Sequence, residues 1–170
     1  MGRIVYEVPL VTQGANPICW VACMAMVASE RRGYSVGVDH FTGFDPSNAS
    51  IADPDGGDWA VLYRLLGRAG FNYAALSPNQ SEIENTLASV GPFILSHKCA
   101  GFPYGAGWVA PKTGVHAVVI TGYDSAINGG QCWMNNPWGN KDRAILASAI
   151  VAAIVAWQPI AQFQIFYWRG

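Results

Sequence analysis

Residues 13–33 read QGANPICWVACMAMVASERRG and join a turn to a helix. The turn is rich in Gly, Asn and Pro and ends at Pro17. Apolar side chains then recur at helical spacing from Cys19 to Arg32, and Gly33 ends the pattern. Because the fixed φ of proline suits the first turn of a helix, we expect Cys19 at or very near the helix N-terminus.

The position of Cys19 suits a nucleophile. A thiol attacks a carbonyl as the thiolate, and the unpaired N–H groups at a helix start lower the thiol pKa. Cys23 lies one turn further along, on the same face, where this effect is weaker. The cysteine spacing matches no zinc motif, so we predict no metal site and interpret Cys23, Cys99 and Cys132 as small buried side chains in a reducing compartment.

A thiol nucleophile needs a histidine that moves protons, and the chain has three. His116 directly precedes an apolar strand, Ala117 to Tyr123, which would hold it rigidly beside a loop. His40 lies in an acidic loop and His97 ends another short apolar run. The context favours His116, as the partner of Cys19 in an ion pair.

The imidazole also needs an orienting group, and Asn135 and Asn136 follow a short strand. Taken alone, Asn-Asn-Pro is a turn signal. Gln13 precedes Cys19 by a spacing that lets its amide and a helix-start N–H converge on one oxygen, as in an oxyanion hole. Taken alone, Gln13 is an ordinary polar loop residue.

The remaining pattern predicts an α+β fold, because helical segments dominate the first half and short β-prone runs the second. We predict one domain over residues 1–170, with a helical half over about 13–90 and an antiparallel sheet half over about 91–170. An extended arm is predicted at Ile4–Thr12 and a loop at Gly37–Gly57. Helices are predicted at Trp59–Ala69, at Ala144–Ala156 and from Ser81, where Glu84 completes a capping box. Strands are predicted at Pro92–Ser96, Val115–Tyr123, Gln131–Met134 and Phe163–Trp168.

The composition excludes several function classes. Charged residues make up 12% of the chain, and ten basic residues nearly balance eleven acidic ones. Without a basic cluster there is no electrostatic basis for binding nucleic acid or an anionic membrane, and a neutral or peptide-like substrate fits better. The longest weakly polar run, Ala144–Trp157, is too short to cross a bilayer, and polar residues interrupt the N-terminal apolar stretch, so we predict neither a transmembrane segment nor a signal peptide. We expect a cytoplasmic protein, or one exported by a signal-independent route.

Four motifs together resemble the papain-like cysteine peptidase superfamily. They are Gln13, the Cys19-Trp20 pair at a helix start, Val115 to Tyr123, and Asn136-Pro137-Trp138-Gly139. The compactness of the chain and its Asn-Pro-Trp-Gly segment look closest to the bacterial C39-like bacteriocin-processing peptidases and the AvrRpt2-type effector peptidases. Those branches often carry Asp before the Pro, where this chain has Asn136, as papain has Asn.

The resemblance implies a papain-like fold with the site in the cleft between helical and sheet halves, and a bacterial effector, toxin or processing role. It implies a peptide or protein substrate, no cofactor, Cys19 as nucleophile, His116 as acid and base, Asn136 as orienter and Gln13 as oxyanion donor. We further expect Trp20 and Trp138 to wall the cleft and Trp108 to line the substrate groove; the full set of expected site residues is Gln13, Cys19, Trp20, Trp108, His116, Trp138 and Asn136.

Two alternatives stay open on the sequence. The same residues could serve amide deamidation, acyl transfer or peptidoglycan amidase activity, because a thioester can be resolved by water or by an amine. The scaffold could also be an inactive binding module, which predicts no labelling of Cys19 by a substrate analogue. No oligomeric state is predicted.

Overall fold

The structure is a computed structural model that describes residues 2–15, 18–41, 63, 66–104 and 114–170. Within these residues, seven antiparallel strands form one sheet and three α-helices with complete bounds pack on it, which confirms the α+β class. The strands are β1 (Arg3–Val5), β2 (Phe71–Ala74), β3 (Phe93–Lys98), β4 (Val115–Asp124), β5 (Gln131–Asn136), β6 (Asn140–Leu146) and β7 (Ile165–Trp168). The helices are α1 (Cys19–Arg32), α2 (Gln80–Val90) and α3 (Ala147–Trp157), with a 3₁₀ turn at Val38–Phe41.

The strand order is β2-β7-β3-β4-β5-β6, and β1 pairs with the end of β4. At that crossing Gly122 leaves room for the β1 backbone. A Cβ at this position would lie 2.7 Å from the carbonyl oxygen of Ile4, closer than real side chains approach. The glycine therefore permits β1 to join the sheet.

Helix α1 begins at Cys19 and ends before Gly33, as the sequence predicts. Gly33 adopts a left-handed φ of 70°, and its N–H donates to the carbonyls of Ser29 and Glu30. This glycine closure is a common way to end a helix. All ten residues from Trp20 to Ser29 are buried, so α1 is a core helix.

Both faces of the central strands β3 and β4 are buried. Their side chains alternate between the two faces, so each strand contributes to two cores. Ile94 and Val119 point to the core that includes α1. Leu95 and Val118 point to a second core that includes residues of α2 and α3. The start of β4, where His116 lies, is thereby fixed between two packed layers.

Several predicted elements differ from the structure. The predicted helix from Ala144 begins only at Ala147, because the preceding residues pair with β5 as β6. Strand β2 was not predicted. The cap of α2 is Asn79, whose side chain accepts from the Glu82 N–H, and not Ser81.

The N-terminal arm is a strand only over Arg3–Val5, although an extended segment was predicted to Thr12. Of the predicted helix Trp59–Ala69, the structure describes residue 63 and residues from 66 onward, and 63 and 66–68 are helical. The predicted loop Gly37–Gly57 contains the 3₁₀ turn, and its part beyond residue 41 lies outside the described residues. No helix in the described part of the chain is long and apolar enough to cross a membrane.

Candidate active site

Cys19 is the first residue of α1 and is partly exposed. The N-cap residue of the helix, Ile18, makes no side-chain hydrogen bond to the first turn. Backbone hydrogen bonds from Ala117, Trp20 and Cys19 itself lower the pKa of the thiol, but burial has the larger effect and raises that pKa to about 11.

A second thiol anchors α1 beside His116. The Cys23 thiol donates to the carbonyl of Ala117 at 3.4 Å, and burial raises its pKa well above the ordinary value. This part of β4 is open to α1 because β5 pairs with β4 only from Val119 onward. Cys19 and Cys23, on one helix face, therefore both contact the backbone of Ala117, the residue that follows His116.

The His116 ring is hydrogen-bonded in a way that fixes its proton. Its Nε2 lies 2.9 Å from Oδ1 of Asn136, and the backbone N–H of Trp138 donates to that same oxygen at 3.1 Å. Because a backbone N–H can only donate, the shared atom is the amide oxygen, and His116 Nε2 must carry a hydrogen. In the neutral ring, Nδ1 then holds the free lone pair and is the basic atom.

Aromatic rings enclose the imidazole. The Trp138 indole stacks on His116 with centroids 3.8 Å apart and planes 17° from parallel. Tyr104 and His97 approach edge-on, with centroids 5.7 Å and 5.9 Å from the His116 ring. Burial lowers the pKa of His116 to about 4, although the hydrogen bond to Asn136 opposes the shift.

Burial acts on both members of the ion pair that the sequence predicts, Cys19 and His116. Burial destabilises both charged forms, which raises the pKa of the thiol and lowers that of the imidazole. Burial therefore favours the neutral thiol and the neutral imidazole, and the ion pair stays a prediction from the sequence. The sequence could not show this effect, because burial depends on the rings and strands that surround the two groups.

Gln13 lies next to the Asn136 segment. Its backbone N–H donates to the carbonyl of Pro137 at 3.0 Å, and the side chain of Asn135 donates to the carbonyl of Val8 at 2.9 Å. These bonds hold the N-terminal arm along the end of β5 and bring Gln13, which is half-buried, to the residue after Asn136.

Cys19 and His116 line one small cavity of about 20 Å³. Trp20 also lines it, and only 4% of this residue is exposed, so it belongs to the core as well as to the cavity wall. Trp108 lies outside the described residues. The other lining residues are mainly apolar: Leu66, Ile94, Ser96, Val115, Ala117, Trp157 and Phe166.

The two other histidines have different surroundings. His40 is exposed, and its Nε2 lies 2.9 Å from Nη1 of Arg32. His97 is fully buried and faces His116 across the β3–β4 pair. Sequence reasoning did not single out His97 or Tyr104 as parts of the site. The signal available was antiparallel pairing of the strands that contain His97 and His116, which places these two residues opposite each other.

The remaining cysteines, Cys99 and Cys132, are buried free thiols, as expected. Burial raises the pKa of Cys132 to about 12. Within the described ranges, no three His, Cys, Asp or Glu side chains are grouped so that they could hold a metal ion.

The fold and this geometry define a papain-like cysteine peptidase scaffold. Similar solved structures include a double glycine motif protease from an AMS/PCAT transporter in complex with the leader peptide, with a TM-score of 0.53, 14% identity and coverage of 98% of this chain and 96% of that one. Procathepsin L 3 of the Tenebrio molitor larval midgut gives a TM-score of 0.61 at 12% identity, covering 98% and 69%. A chain from work on the mite allergens Blo t 1 and Der p 1 gives 0.58 at 13% identity, covering 99% and 70%.

The family model described as the Peptidase_C39 like family matches residues 5–164. The chain belongs to this family, within the papain-like cysteine peptidase superfamily. Among curated proteins, no sequence gives a significant match.

Proposed function

We propose that this protein is a cysteine peptidase that cleaves peptide bonds through a thioester on Cys19. The observation that carries the proposal is the arrangement of Asn136 Oδ1, which accepts from both His116 Nε2 and the Trp138 N–H. It makes Nδ1 the basic atom of a neutral imidazole, and His116 lines the same small cavity as Cys19.

In the proposed mechanism the Cys19 thiol and the His116 imidazole both start neutral, the forms that burial favours. As the Cys19 sulfur attacks the peptide carbonyl, its proton passes to Nδ1 of His116, and Asn136 accepts from Nε2–H of the resulting imidazolium. The imidazolium then protonates the leaving amine, and the C–N bond breaks to give the thioester. His116, neutral again, takes a proton from water, whose oxygen attacks the thioester and releases the acid and the thiol.

The negative oxygen of each tetrahedral intermediate needs donors. We assign this role to the side-chain amide of Gln13 and the backbone N–H of Cys19. The first-turn N–H groups of α1 carry the partial positive charge of the helix start. The hydrogen bond from Gln13 N–H to Pro137 keeps the Gln13 loop beside Asn136 and thus near His116.

The proposed substrate is a peptide or protein. The mainly apolar cavity and the near-zero formal net charge of −1 suit a neutral chain better than a phosphate-bearing ligand. The similar double glycine motif protease was solved with a leader peptide, which agrees with this class of substrate.

Labelling by a peptide epoxide tests the proposal. We expect a single modification at Cys19, read by mass spectrometry on digested protein, and its loss in His116→Ala while Cys23→Ala still reacts. A peptide library then separates activities, because peptidase action creates new termini whereas deamidation leaves the chain intact. Labelling at other cysteines, or labelling that does not depend on His116, would contradict the proposed function.

A further inference from the structure

A second buried histidine lies behind the proposed base. His97 is 0% exposed and pairs directly with His116 between β3 and β4. Its Nε2 lies 2.7 Å from the hydroxyl of Tyr104, and its Nδ1 lies 3.4 Å from the carbonyl oxygen of Leu95. The mechanism above gives neither His97 nor Tyr104 a task.

The partners of His97 determine the direction of its hydrogen bonds. The Leu95 carbonyl can only accept, so Nδ1 carries the hydrogen, and Nε2 of a neutral ring must accept. The Tyr104 hydroxyl therefore donates to His97, and the side chain of Cys99 is a second hydrogen-bond partner of the same hydroxyl. Burial, with a contribution from His116, lowers the pKa of His97 to about 3, so the ring stays neutral and remains an acceptor over the ordinary pH range.

This hydrogen bond fixes a ring that contacts the site. The Tyr104 ring lies 5.7 Å from His116 and 5.0 Å from Trp138, centroid to centroid. Tyr104 is 1% exposed, and Phe102 packs on His97 with ring centroids 3.8 Å apart and planes tilted by 31°. Tyr104 thus packs against both members of the stacked pair formed by His116 and Trp138.

We propose that Tyr104, fixed by its hydrogen bond to His97, is a positioning residue for His116. With Trp138 on one face and Tyr104 at another side, the imidazole cannot turn about its χ2 angle without displacing an aromatic ring. The ring is thereby held where Nε2–H meets Asn136 Oδ1 and Nδ1 remains the base. The inference rests on the proposed function only in naming His116 as the base; the orientation itself can be measured without turnover.

Nitrogen-15 NMR of the histidine rings tests the positioning directly. In the unaltered protein we expect His116 in the Nε2–H form. Tyr104→Phe keeps the ring and removes the donor, and His97→Leu keeps the volume and removes the acceptor; both are expected to give a mixture of His116 tautomers. His97→Gln, whose side-chain oxygen can accept from the hydroxyl, is expected to restore the single form.

Activity provides a second readout. For Tyr104→Phe and His97→Leu, kcat should fall about tenfold with little change in KM, a loss equivalent to one misplaced hydrogen bond. Tyr123→Phe removes a hydroxyl outside the site and should change neither readout. Circular dichroism establishes that each variant is folded; if His97→Leu does not fold, Tyr104→Phe alone decides.

The proposal is overturned if folded Tyr104→Phe keeps His116 in the single Nε2–H form. It is also overturned if His97→Gln gives the same mixture of His116 tautomers as His97→Leu. These results differ from failure of the proposed function. If Cys19 is not a nucleophile, activity is absent in every variant, whereas the NMR spectra still report whether Tyr104 holds the His116 ring.

Discussion

The indole of Trp138 covers one face of the His116 imidazole, with ring centroids 3.8 Å apart. The backbone N–H of the same tryptophan donates to Asn136 Oδ1, which also accepts from His116 Nε2. Trp138 thus shields His116 by its side chain and orients Asn136 by its backbone N–H. A substitution of Trp138 separates the two effects, because it removes the ring and retains the N–H.

Trp138→Ala should shift the acid limb of the pH profile upward. Burial lowers the pKa of His116 to about 4, so exposing the ring raises this pKa toward its ordinary value near 6.5. Since the neutral imidazole is the base, kcat/KM is lost as pH falls through the pKa, and the variant should lose activity at pH 5 that the unaltered protein retains. Rate profiles and an NMR titration of His116 measure the shift.

Trp133→Ala is the matched control. Trp133 lies on β5, with the guanidinium of Arg3 5.1 Å above its ring, and has no assigned part in the site. Its loss should leave the His116 pKa near 4. An equal rise in the His116 pKa in Trp138→Ala and Trp133→Ala would show that the rise comes from a general loss of packing and not from loss of the ring stacked on His116.

Asn136→Ala and Asn136→Asp should differ strongly. The alanine variant loses the oxygen that accepts from His116 and Trp138, so the ring no longer favours the Nε2–H form and kcat should fall about 10²- to 10⁴-fold. The aspartate retains an accepting oxygen and should keep most activity, with a higher His116 pKa because of its negative charge. Steady-state kinetics of folded variants measure both effects, and equal losses would contradict the orienting role.

Gln13→Glu tests the oxyanion role at nearly constant shape. The substitution replaces the donating amide by a carboxylate that repels a negative oxygen, so the rate should fall about 10²- to 10³-fold. The control is Gln162→Glu, which makes the same charge change at an exposed position. A rate within a few-fold of the unaltered protein would remove Gln13 from the mechanism.

The capping of α2 gives a prediction on stability alone. Asn79→Ala removes the acceptor for the Glu82 N–H and should lower the free energy of unfolding by about 1 kcal/mol. Ser81→Ala, at the exposed second residue of the helix, should change it by less than about 0.5 kcal/mol. Denaturant unfolding of both variants compares them, and a larger loss for Ser81→Ala would restore the cap inferred from sequence.

Local signals made α1 predictable. Pro17, the apolar spacing from Cys19 and the closing Gly33 all act within a few residues, and the structure places the helix at those bounds. Strand β2 was missed because its pairing is not local: Phe71 pairs with Trp168. Strand β6 forms a hairpin with β5, but its first four residues, 140–143, are all polar and lack an apolar β-strand pattern. The Ala-rich start of the predicted late helix hid the end of β6.

In the candidate site, too, the residue pattern could be recognised in the sequence, whereas the contacts made by the fold could not. The order of Gln13, Cys19, His116 and Asn136 could be recognised in the sequence, and the structure adds the hydrogen bond from His116 to Asn136. The effect of burial on the pKa values of Cys19 and His116 and the contact of Tyr104 with His116 could not be predicted, since they depend on the surrounding rings and on strand register.

Trapping of an acyl-enzyme on Cys19 tests the central claim most directly. Protein mixed with a small activated ester, p-nitrophenyl acetate, and quenched in acid should carry one acetyl group on Cys19, found by mass spectrometry of the digested chain. Cys23→Ala should form the same adduct, since that thiol contacts the Ala117 carbonyl and has its pKa raised by burial. Cys19→Ala should form none. The account would be contradicted if the unaltered protein carried no acetyl group on Cys19. It would also be contradicted if Cys19→Ala were acetylated to the same extent as the unaltered protein.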